Sequence, residues 1–209
     1  MNGKLFYFVF LFCLNFSFAQ QNEEFKSVKN YFDYQRFMMD SQFRKKFDDE
    51  NNNFEKMVIK KDFQVFMKKM DSVQNTAYIG SLIKVKNRED LSRINLKNSS
   101  EIHLKNPRKQ ELNEEAKYPG GIGTLREQVA TLFYSDAVLA NEETLKTQVT
   151  FVVERDGSIS SVQAEGENFT FNRQAEIAVY LLPEKFSPAV INGTAVRYRF
   201  RLPLSMNFE

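Results

Sequence analysis

The stretch "TLKTQVTFVVERDGSISSVQAEG", residues 144–166, decides the fold. Val149, Phe151 and Val153 alternate with Thr150, Val152 and Glu154, the two-residue period of a strand with one buried face. Asp156-Gly157 follows, a pair suited to the positive backbone angles of a tight hairpin turn. Ile159 and Val162 carry the returning strand, and their odd spacing predicts a bulge. Downstream, "FNRQAEIAVYLLPEKF" (171–186) predicts a helix capped by Asn172, with Ala175, Ala178, Val179 and Leu182 on one face and a stop at Pro183. "INGTAVRYRFRLPL" (191–204) then turns at Asn192-Gly193 into a last strand. On that strand Arg197, Arg199 and Arg201 share one parity, and Tyr198, Phe200 and Leu202 the other.

Upstream lies "KYPGGIGTLREQVATLFY" (117–134), where Thr124 and Glu127 have the spacing of a capping box and Leu125, Val129, Leu132 and Phe133 fall on one helical face. Gly120, Gly121 and Gly123 lack the Lys-Ser/Thr ending of a phosphate-binding loop, so they read as a flexible helix entry. The order from Thr124 is helix, strand, strand, helix, strand. The class is α+β, with a three-stranded antiparallel sheet preceded by an α-helical N-terminal region.

That N-terminal region is expected over residues 20–86. Phe43 and Phe47, then Phe63, Phe66, Met67, Met70 and Val73, recur at helical spacing, and "DENNNF" (49–54) marks a break between helices. Residues 87–117 read as a linker rich in turn formers, and 118–209 as a separate domain. The only histidine, His103, lies in the linker with no cysteine beside it, which argues against a metal site or a histidine base. Neither G-x-S-x-G nor HExxH occurs, so no enzyme and no cofactor are expected.

Of the 209 residues, 29 are basic and 27 acidic, a net charge of +2 that does not match the cationic footprint of a nucleic-acid binder. The chain opens with Lys4, an apolar run from Leu5 to Leu14, and Ser17-Phe18-Ala19, the pattern of a secretory signal peptide over residues 1–19. The alternative is an uncleaved inner-membrane anchor facing the periplasm, although the run is shorter than the roughly 20 residues that span a bilayer. The single cysteine, Cys13, falls inside the leader, so the mature chain would fold without disulfides.

From about Tyr118 to Glu209 the chain resembles the TonB C-terminal domain, the periplasmic end of the energy transducer of Gram-negative bacteria. The residues that carry the resemblance are "FVVERDGSISSV", "NRQAEIAV" and "KFSPAVINGTAVRYRFRLPLSMNF", in the family's order. The chain departs from the pattern at Ser135, where the family often has proline, and at Phe186, where tryptophan is frequent. It also has five prolines in all, against the long Pro-rich span of a full transducer. The resemblance implies a periplasmic protein-interaction module acting in or near TonB-dependent transmembrane transport. Its last strand, Arg197, Tyr198, Arg199, Phe200, Arg201 and Leu202, would pair with an extended segment of an outer-membrane receptor. A homodimer is the other protein partner to expect, and nucleic acid is not one. Structural service in the envelope, with that edge closed by the helical half, is the competing function.

Overall fold

The computed structural model describes residues 16–97 and 113–208. The apolar leader run, Cys13 and His103 lie outside them. The architecture is α+β, as the sequence leads one to expect. Two long helices, α1 (Phe16–Asp49) and α2 (Asn53–Lys97), form a hairpin. The break falls in the asparagine run, where Asn52 Oδ1 accepts from Phe54 N–H at 2.9 Å and caps α2. Phe43 stacks on Phe63 across the hairpin with ring centroids 4.2 Å apart, while Phe66 and Val73 of the expected stripe remain exposed. α2 runs to Lys97, past the expected start of the linker at residue 87. The reason is tertiary, because Val85, Lys86 and Glu89 pack on the C-terminal domain and extend the helix through turn-forming sequence.

The C-terminal part contains α3 (Gly121–Leu132), β1 (Thr144–Val153), β2 (Ile159–Glu165), α4 (Phe169–Tyr180), the short strands β3 (Ala189–Ile191) and β4 (Thr194–Val196), and β5 (Tyr198–Asn207). β2, β1 and β5 form an antiparallel sheet in that order, with β1 in the middle, and β3 and β4 form a small hairpin of their own. Residues 113–117, placed in the linker by sequence, belong to this domain, since Glu114 and Lys117 bridge to Val190 and Ser187. β1 pairs with β5 without a break in register from Thr144↔Asn207 to Val153↔Tyr198. The β1–β2 ladder does shift, between Thr150 and Val152, and Ser161 adopts a left-handed φ of 53°, which is the bulge that Ile159 and Val162 predict.

Two expected caps move. α3 starts at Gly121 from Gly120, whose φ is 76°, and Thr124 lies inside the helix with its hydroxyl donating to Gly120 O. The capping box at Thr124 and Glu127 is therefore not formed, because two left-handed glycines turn the chain into the helix one turn earlier. α4 is capped by Asn168, which accepts from Phe171 N–H at 2.9 Å, and Asn172 sits within the first turn donating to Gly166 O. The Asn192-Gly193 turn is as expected, with φ of 50° and 77°, but it leads first into β4. The hydrophobic core is continuous: Leu125, Val149, Phe151, Ala175, Ala178, Val179 and Leu202 share it with Phe25, Tyr78, Leu82 and Val85 of the hairpin.

Candidate functional site

A sheet of three strands has two edges, and the fold treats them differently. Along the outer edge of β2, side chains take the place of a neighbouring strand. Ser161 N–H donates to Glu89 (2.8 Å), Val162 N–H to the Tyr180 hydroxyl (3.2 Å) and Ala164 N–H to Glu176 (2.9 Å). Lys86 Nζ donates to Val162 O at 3.2 Å and pairs with Glu176 at 2.9 Å. Glu176 is 1% exposed and also binds Arg173, so its buried carboxylate is met by two cations and a backbone donor. Burial and then the Glu89 carboxylate push the Tyr180 phenol well above its ordinary pKa, so it stays a hydrogen-bond donor. Phe25 of α1 stacks on the same ring at 5.0 Å.

The outer edge of β5 has no such cover among the described residues. Phe208 N–H donates to Glu143 O at 2.7 Å, which sets the phase of the antiparallel ladder. Counting back from Phe208, even-numbered residues turn their backbone groups to β1, and Arg199, Arg201, Pro203, Ser205 and Asn207 turn theirs outward. Pro203, which has no N–H, thus occupies an outward position and costs the ladder nothing.

The expected binding residues divide accordingly. Tyr198, Phe200 and Leu202 face the helices, Leu202 fully buried and Phe200 stacked on Phe151 at 5.1 Å. Burial, then the Glu115 carboxylate, raises the pKa of Tyr198. Arg199 and Arg201 are exposed on the other sheet face, opposite Val152 and Thr150. Arg197 immediately precedes β5, and its guanidinium pairs at 2.7 Å with Glu154, the next residue along β1 after the Val153↔Tyr198 pair, so this charge is already engaged within the fold. Lys86, Glu89, Glu176 and Tyr180, which close the β2 edge, were not apparent from sequence as a set. The one local signal is a carboxylate, Glu176, inside the apolar run "AEIAV".

Next to β5 lies a cleft of about 890 Å³, walled by Val129 and Ala130 of α3, by Phe133 just after it, and by Phe171, Leu204 and Met206. No group of histidine, cysteine or carboxylate side chains suited to a metal ion is present among the described residues, nor is any helix there long and apolar enough to cross a membrane. No protein-family model, curated protein or solved structure matches the chain.

Proposed function

We propose that this chain is a periplasmic interaction module of the TonB C-terminal kind, which binds an extended protein segment by strand addition to β5. The observation that carries the reading is the asymmetry of the sheet: β2 is closed by side chains, whereas β5 offers outward N–H groups at Arg199, Arg201 and Ser205. The helical half packs at β2 and α4, away from this edge, which speaks against the closed structural alternative. Arg199 and Arg201 flank the edge with fixed positive charge and favour a carboxylate-bearing segment, whose source would be an outer-membrane TonB-dependent receptor. Export to the periplasm, through residues 1–19, is part of this proposal.

The test combines amide exchange with crosslinking. In the free protein the amides of Arg199, Arg201 and Ser205 should exchange fast and those of Phe200 and Leu202 slowly. A photo-crosslinker at position 201, used in envelope extract, should capture a receptor's extended segment, and that segment as a synthetic peptide should protect the three outward amides. Capture of no receptor removes the transport role. Binding without protection of those amides removes strand addition.

A further inference from the structure

The first half of α2 carries charge that the fold does not use. Between Phe54 and Lys69 stand five lysines against Glu55 and Asp62. Nearer the sheet the cations of the hairpin have partners: Arg36 pairs with Asp71, Lys86 with Glu176 and Arg88 with Glu24. Lys61, Lys68 and Lys69 are exposed and have no ion-pair partner among the described residues. They share a helix face with apolar side chains. Phe54, Val58, Lys61, Val65 and Lys68 recur at steps of four and three residues, which is one side of an α-helix, with Met57 and Lys69 at its margins. No carboxylate falls within that face, Glu55 and Asp62 lying beyond the Lys69 margin. The opposite side of α2 is half-buried, where Phe63 stacks on Phe43 of α1. Phe54 and Met57 are 69% and 71% exposed and Val65 49%, a grouping of apolar surface that packing within the hairpin leaves uncovered. From Phe54 to Tyr78, where the core shared with the sheet begins, α2 rises roughly 36 Å, so the face stands clear of the C-terminal domain.

We infer that this face of α2 docks on a bilayer surface bearing anionic headgroups, with the helix lying in the plane of the interface. Phe54, Val58 and Val65 enter the headgroup boundary, while Lys61, Lys68 and Lys69 lay their methylenes beside them and set their ammonium groups at the lipid phosphates. Charge decides against the other covers. A second copy of the chain would set the same unpaired lysines against one another, and a nucleic acid would take the lysines but leave the apolar centre in water. The inference does not depend on strand addition at β5.

The chain contains no tryptophan, so one introduced at a chosen position reports that position alone. Val65→Trp places it at the centre of the face, and Tyr34→Trp on the exposed side of α1 opposite Phe43, both at open positions where the full chain should melt as the parent does. With vesicles of mixed neutral and anionic phospholipid, emission of Val65→Trp should shift to the blue and be quenched by bromine on the lipid chains, while that of Tyr34→Trp stays unchanged. The readout is local, so any lipid affinity of residues 1–19 does not enter it. Adding Lys61→Glu, Lys68→Glu and Lys69→Glu to Val65→Trp should lower the apparent affinity at least tenfold, as should purely neutral vesicles, and arginine at the same three positions should preserve it. An equal response from both reporters, a response that survives the three charge reversals, or no response to anionic vesicles overturns the proposal. A blue shift that needs no lipid and grows with protein concentration overturns it too and gives the face to a second copy.

Discussion

At the scale of single residues, Gly157 carries the sharpest constraint. Its φ is 79°, and a Cβ there would lie 2.0 Å from the carbonyl oxygen of Phe186, which is backbone and cannot swing away. Gly157→Ala should therefore destabilise the protein by about 3 kcal/mol or more, measured by denaturant unfolding. Gly80 is the opposite case, a glycine within α2 whose Cβ position is open. Gly80→Ala should raise stability by roughly 0.5–1 kcal/mol, and a lower midpoint would refute this account of the helix. Arg199 separates backbone from charge. Its N–H points away from β1, so Arg199→Pro should fold as the parent does yet lose partner binding. Arg199→Glu keeps the donor and should weaken binding mainly at low salt, where surface charge is least screened. Equal binding by both variants would make the arginines solubility devices. The turn at "RDG" and the alternation of "RYRFR" were legible in the sequence; which way each N–H points was not, because that depends on the phase of the β1 ladder.

At the scale of elements, the seam between α2 and β2 is where the hairpin becomes part of the domain. Lys86, Arg173 and Ala164 N–H share the buried Glu176 carboxylate, so their energies should not add. A double-mutant cycle on Lys86→Ala and Glu176→Ala should give a coupling of about 1–3 kcal/mol, and near-zero coupling would mean the contact is incidental. Two tyrosines at this seam give it a pH signature. Burial, opposed in part by Gln74, pushes the Tyr78 pKa from 10.0 up to about 12, and Tyr180 is raised as well. The unfolded chain thus ionises first as pH rises. Stability from these two groups is complete below pH 10 and declines above it, the Tyr78 share being lost between 10 and about 12, so Tyr78→Phe and Tyr180→Phe should blunt the alkaline loss in pH-dependent melts. A wild-type slope in both variants would place the alkaline transition elsewhere.

For the whole molecule, the continuous core joining Phe25, Tyr78, Leu82 and Val85 to the sheet makes the helical hairpin more than an appendage. A fragment of residues 113–209 keeps the sheet and both short helices but uncovers Ser161 N–H and Val162 O on β2. It should melt at a lower temperature than the full chain and self-associate through the bared edge, as seen by light scattering. A monomeric fragment with the parent's melting temperature would show that the hairpin contributes nothing to edge protection.

Local chemistry wrote the elements into the sequence. Alternation marked β1 and β5, apolar periodicity marked α3 and α4, the asparagine run marked the hairpin bend, and Asp156-Gly157 and Asn192-Gly193 marked turns. Each signal depends on neighbours within about one helical turn or one strand, which is why it survives in one dimension. Tertiary structure decided what no window of sequence contains. Glu89 meets Ser161 only after the hairpin docks, Tyr180 meets Val162 only once α4 packs on the sheet, and Arg197 finds Glu154 only once β5 lies beside β1. Which edge of the sheet is left uncovered among the described residues therefore follows from the packing of distant segments, since a row of backbone groups is closed only when other parts of the chain supply its partners.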